Sequence, residues 1–117
     1  MEVPVNINNR TEMVDEEIVE LVKQINRFEG IHTIESCFGH GLYPIRIFLY
    51  PDSIEYLPIF LYYTDSCHVG VRGWEVVIYT DCSADHVTWL LQSTSMGEKA
   101  KEEANQIAEY MRKYYDE

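Results

Sequence analysis

Charge is split unevenly along this chain, and that split limits what it can fold into. Residues 31–96 hold seven acids and only two cations, Arg46 and Arg72, while the flanking segments hold thirteen acids and seven cations. The middle is rich in β-branched and aromatic residues, which fit a pleated, half-buried surface. The flanks carry apolar residues at helical spacing between charges. The pattern predicts a sheet-rich centre with an amphipathic helix toward each end.

The first flank opens with "VPVNIN", in which Val3, Val5 and Ile7 alternate with polar residues or Pro4. That is a short strand, with "NNRT" as its break. Val14, Ile18, Leu21, Val22, Ile25 and Phe28 then fall on one helical face. Asp15, Glu16 and Glu17 crowd the predicted first turn, where acids oppose the positive end of the helix dipole, and Gly30 is placed to end the helix. At the other end, Ser95 and Glu98 read as a capping box. The closing helix puts Ala100, Ala104, Ile107, Ala108, Met111 and Tyr115 on one face.

Between the helices, "IHTIES", "PIRIFLY", "WEVVIYTD" and "VTWLLQSTS" read as strands. "PDSIEY" is a turn or a single helical turn. Leu57 to Asp65 is open to two readings: its residues favour a strand, but Pro58 also suits a helical first turn. No repeat, linker or low-complexity tract divides the 117 residues. The expected fold is one α+β domain over 1–117, a two-layer sandwich with a mixed or antiparallel sheet and the N- and C-terminal helices on one face.

The net charge of −11 and the scattered Lys and Arg argue against nucleic acid as a partner. The longest apolar run, Leu57 to Tyr63, is too short to span a bilayer. "MEVPVNINNR" has no basic start followed by an apolar block, so a signal peptide is not expected. Three cysteines at spacings that suggest no disulfide framework point to free thiols in a reducing, cytoplasmic setting.

Chemistry concentrates in three short segments. "ESCFGHG" packs Cys37, His40, Gly39 and Gly41 into one turn; Asp65, Cys67 and His68 follow the ambiguous element; Asp81, Cys82 and His86 follow the "WEVVIY" strand. Each cysteine lies within four residues of a histidine. Glycines let a backbone turn sharply or approach a ligand closely, but a strand is predicted after this turn, so phosphate-loop and dinucleotide readings fail on context. By residue type, Cys37, His40, Cys67, His68, Cys82 and His86 are ligands for zinc or iron, although there is no pair of CxxC knuckles and no HExxH helix. Arg46 and Arg72 are the central cations that would pair with a ligand carboxylate or phosphate; the plainer alternative is a salt bridge to one of the many acids. Each cysteine alone is more often a small core residue.

The succession "SCFGHG", "YYTDSCHVG", "GWEVVIYTDC" and "GEKAKEEANQIAEYM" resembles a group of small bacterial and phage-type proteins without established function. The resemblance runs from about Leu21 onward. It implies that the three loops belong to one unit, and it implies no reaction. The "ESCFGHG" turn is also similar to the Ser-Cys-x-Gly loop of the wybutosine-pathway tRNA methyltransferase family. The chain departs from that family's basic character, and no catalytic role is carried over.

Three functions are compatible with these residues. The first is a small domain that binds a small ligand or a metal where Gly39, Gly41, Arg46, Arg72 and the Cys/His loops meet. The second is an enzyme with Cys37 as nucleophile or metal ligand, His40 as base and Asp65 or Asp81 as orienting carboxylate. The third is an interaction protein with inert core cysteines, in which Tyr110, Tyr114 and Tyr115 would mark a face for homo-oligomer formation.

Overall fold

The computed structural model describes residues 1–64, 71, 73–80 and 87–116. The expectations for Asp65, Cys67, His68, Arg72, Asp81, Cys82 and His86 lie outside the described residues.

The chain begins as a hairpin. Strand β1 (Glu2–Ile7) pairs antiparallel with β2 (Arg10–Asp15), with Ile7 opposite Arg10. The two residues between them, Asn8 and Asn9, have φ of 49° and 69°. A two-residue hairpin of this kind needs positive φ at both positions, and asparagine tolerates it better than most residues. The "NNRT" break is therefore a hairpin turn. This corrects the helix predicted from Val14: Val14 is buried in β2, and helix α1 spans Val19–Arg27 after a 3₁₀ turn at Glu16–Ile18. The buried face that was read as one helix, Val14 through Phe28, is shared by a strand, a turn and a helix.

Strands β3 (Ile31–Cys37) and β4 (Pro44–Pro51) follow, then a 3₁₀ turn at Ile54–Tyr56 and helix α2 (Leu57–Tyr63). The ambiguous segment is thus helical, with Pro58 in its first turn, where a missing N–H costs nothing. Its Phe60 is fully buried between the rings of Phe28 and Trp89, at centroid distances of 6.3 and 5.7 Å. Strand β5 (Glu75–Thr80) comes next in the described residues, and β6 (Val87–Met96) runs directly into helix α3 (Gly97–Tyr115).

The second sheet has strand order β3-β4-β6-β5, and every pairing in it is antiparallel. The fold is α+β, and the expected single sheet is two separate ladders. Helices α1 and α3 pack on one face of the four-stranded sheet, where Ile31, Ile45, Ile47, Leu49, Trp89 and Leu91 meet Leu21, Ile25, Ala104, Ile107 and Met111. The alanines of the predicted face, Ala100, Ala104 and Ala108, are buried there. No helix among the described residues is long and apolar enough to cross a membrane.

The capping box is also corrected. Met96 is extended at the N-cap position, and the chain turns into α3 at Gly97, with φ +63°. The Ser95 hydroxyl instead donates to the Glu103 carboxylate, which also accepts the Trp74 indole N–H at 3.1 Å. A strand that feeds a helix without a loop leaves no room for a side-chain cap.

A buried polar relay joins the hairpin to the rest. Asn26 of α1 donates to the Thr33 hydroxyl at 2.9 Å, and that hydroxyl donates to Glu12 of β2 at 2.8 Å. The Arg10 guanidinium lies 3.3 Å from the same Glu12 oxygen and also donates to the Thr33 carbonyl. Burial holds the Glu12 carboxyl above the usual glutamate range, outweighing the Thr33 hydrogen bond and the Arg10 charge that pull it down. A raised carboxylate pKa favours the protonated form in the folded state. Its contribution is fully present below the ordinary glutamate value, about 4.3, and is lost as pH rises through the raised one. Replacing Glu12 with glutamine, which does not titrate, should therefore shift the melting-temperature difference (variant minus wild type) in the variant's favour between about pH 4 and pH 7. Thermal melts across that range check this, and a difference that stays flat would show that Glu12 is not perturbed.

Candidate functional site

The connection from β3 to β4 is the "ESCFGHG" turn. Gly39, His40 and Gly41 all have positive φ, at 82°, 52° and 83°. The Gly39 carbonyl accepts the N–H groups of Leu42 at 2.9 Å and Tyr43 at 3.3 Å. His40 and Gly41 therefore occupy the corner of a mirror-image β-turn, in a conformation that side chains rarely adopt. A Cβ on Gly39 would lie 2.1 Å from the Tyr43 carbonyl oxygen, whereas one on Gly41 meets open space.

A residue outside the sequence candidates anchors this turn. Asp15, at the end of β2, is buried; its Oδ2 accepts the Phe38 N–H at 2.7 Å and lies 3.5 Å from His40 Nε2. The Phe38 ring is buried and meets the imidazole edge-on at 5.6 Å. The orienting carboxylate for His40 is thus Asp15, and Asp65 and Asp81 lie outside the described residues. From sequence, Asp15 looked like an acid in the first turn of a helix. No local pattern marks it: Glu12 and Val14 are buried at alternate positions, and Asp15 is buried out of that alternation, where β2 ends.

Cys37 and His40 take different surroundings. The Cys37 sulfur accepts the Gly39 N–H at 3.3 Å, and no hydrogen bond joins it to the imidazole. The thiol is exposed. Among the described residues no group of three His, Cys, Asp or Glu is placed to hold a metal ion. Of the six metal candidates, Cys37 and His40 are described, and Cys67, His68, Cys82 and His86 are not.

Cys37 belongs to a cleft on the face of the sheet away from the helices. In the β3–β4 ladder Cys37 is opposite Arg46, and Glu35 is opposite Phe48. Side chains two apart on a strand share a face, so Glu35, Cys37, Arg46 and Phe48 stand together. With Ser36 they line a cavity of about 220 Å³. The Ser36 hydroxyl oxygen is buried and has no hydrogen-bond partner among the described residues. Arg46 is exposed; its guanidinium carbon lies 5.8 Å from the centroid of the Tyr43 ring, and it makes no ion pair among the described residues. The aromatic side chains of the last helix are engaged within the chain: Tyr114 packs edge-on against Tyr62 at 5.3 Å, and Arg27 lies 4.7 Å over the Tyr115 ring.

The two glycines of the turn should respond differently to alanine. Gly41→Ala meets only backbone strain, about 1–2 kcal/mol. Gly39→Ala adds a backbone clash and should cost at least about 3 kcal/mol. Urea unfolding of both variants measures the gap, and equal losses would mean the turn is not held as described. Asp15→Ala leaves the Phe38 N–H without its acceptor and should cost about 1–3 kcal/mol. It should also speed hydrogen exchange at the Phe38 amide, and an unchanged exchange rate would remove Asp15 as the anchor.

Compared with family models, curated proteins and solved structures, the chain matches none.

Proposed function

We propose that this chain is a binding domain for a small ligand that carries a carboxylate or phosphate, taken up in the Cys37–Arg46–Phe48 cleft. Arg46 carries this reading. In a chain of net charge −11, an arginine has many acids to choose from, yet this one makes no ion pair among the described residues and stands at the edge of a cavity. A planar guanidinium matches a carboxylate or phosphate with two parallel hydrogen bonds. Phe48 supplies an apolar wall. The cavity, about 220 Å³, is below the roughly 300–1,000 Å³ common for larger ligands, which favours a small metabolite. An exposed, unpaired Cys37 thiol fits a reducing, cytoplasmic setting. The resemblance to small bacterial and phage-type proteins would add the two other Cys/His loops to the same unit.

The Asp15–His40 pair supports a second reading, in which the imidazole acts as a base on a substrate at the exposed side of the turn, apart from the cleft, whose lining does not include it. Under it, His40→Ala abolishes turnover and leaves ligand affinity unchanged. Under simple binding there is no turnover to lose.

Cys37 provides the test. Its alkylation by iodoacetamide, followed by peptide mapping, should slow several-fold in the presence of at least one class of small carboxylate or phosphate. The same compound should raise the melting temperature as mass action requires. Arg46→Ala should remove both effects. If no compound in either class protects the thiol or shifts the melt, the binding reading fails.

A further inference from the structure

We infer that the ligand of this cleft is a zwitterion, a single α-amino acid or a molecule with the same pairing of ammonium and carboxylate. This rests on the reading of the cleft as a ligand site. The observation is a juxtaposition of two opposite charges, neither with an ion pair among the described residues. Because Cys37 is opposite Arg46 and Glu35 is opposite Phe48, Glu35 and Arg46 are diagonal neighbours on one face of the sheet. Such neighbours stand roughly 7–8 Å apart, within reach of long side chains. Both line the same cavity, and no ion pair joins them.

Two features keep them apart. The register of β3 shifts between Thr33 and Glu35, which re-aims the strand at that point. The Arg46 guanidinium leans along the strand toward the Tyr43 ring. The cavity lies between the acid and the base, with Phe48 and Cys37 completing its wall.

Charge decides what fills it. An ionised glutamate only accepts hydrogen bonds, and an arginine only donates them. A ligand with nothing but anionic groups would satisfy Arg46 and meet both the Glu35 carboxylate and the field of a chain at −11. A purely cationic ligand would leave Arg46 unanswered. A zwitterion places its carboxylate on Arg46 and its ammonium on Glu35, and it carries no net charge into the field. Its side chain would lie along Phe48. A volume of about 220 Å³ suits one residue.

The test uses the full chain and the same two readouts, Cys37 protection and melting temperature. The probes are the common α-amino acids, their N-acetyl derivatives (no ammonium) and their amides (no carboxylate). At least one free amino acid should protect Cys37, and its N-acetyl and amide forms should bind at least tenfold more weakly. In Glu35→Gln the free amino acid and its N-acetyl form should bind alike. Circular dichroism would check that this exposed substitution leaves the fold intact. If the N-acetyl form binds wild type as well as the free amino acid, the zwitterion is wrong while the cleft still takes an anion. If none of these probes binds but a simple carboxylate or phosphate still protects Cys37, the zwitterion is wrong and the cleft reading stands; if those fail too, both fall.

Discussion

Two buried carboxylates on one short strand position the rest of this molecule. The β1–β2 hairpin and the four-stranded sheet share no ladder, so backbone pairing does not set how they meet. Glu12 reaches the Thr33 hydroxyl near the start of β3, and Asp15 reaches the Phe38 amide just past its end. The two contacts fix the hairpin along β3 at both ends. Buried acids are costly unless hydrogen-bonded, and each here has a donor. The apolar side chains of β1 and β2 fill the core beneath, but apolar contact is non-directional. The carboxylates supply the direction.

The site inherits its geometry from that docking. Asp15 pins the Phe38 amide, so the chain leaves β3 at a set angle and must reverse within a few residues to start β4. Three successive positive φ values make that reversal, and the Gly39 carbonyl closes it. The turn itself is a structural corner, with His40 turned back to Asp15. Cys37, one residue before Phe38, points to the other side of the sheet by strand alternation and joins Arg46 there.

Much of this could be read from the residues, and the failures share a cause. The apolar face of α3 survived intact because helical spacing is local information. The first helix was placed too early because Val14, Ile18 and Leu21 have helical spacing while Val14 belongs to a strand that ends just before. Only the Asn8–Asn9 pair signals the hairpin, and it is a weaker signal than Asn-Gly. Ser95 looked like a cap because the strand's direct entry into α3 is not visible in composition. At the site, Cys37 and Arg46 were singled out by type, but their adjacency depends on cross-strand register. Nothing local marks Asp15 or Glu35 for the same reason: what an acid faces across the sheet is set by the fold.

The far face of the sheet is where such a partnership can matter. An antiparallel sheet covered by helices on one side leaves its other side for different work. Here that face carries Phe48, Leu90 and Val77 in a row across β4, β6 and β5, with Leu90 buried. Charges stand at the borders of this apolar row. Toward β5 the Glu75 carboxylate is answered by the amide of Gln92, which is itself cross-strand from Arg46. At the near border Glu35 and Arg46 face a cavity, and neither has an ionic partner among the described residues. Exposed ion pairs are worth little, so the fold loses almost nothing by leaving these two charges apart. A ligand that joins them gains both contacts at once, against an apolar wall that lowers the local dielectric. The same two charges that contribute little to stability are therefore well placed to contribute to recognition.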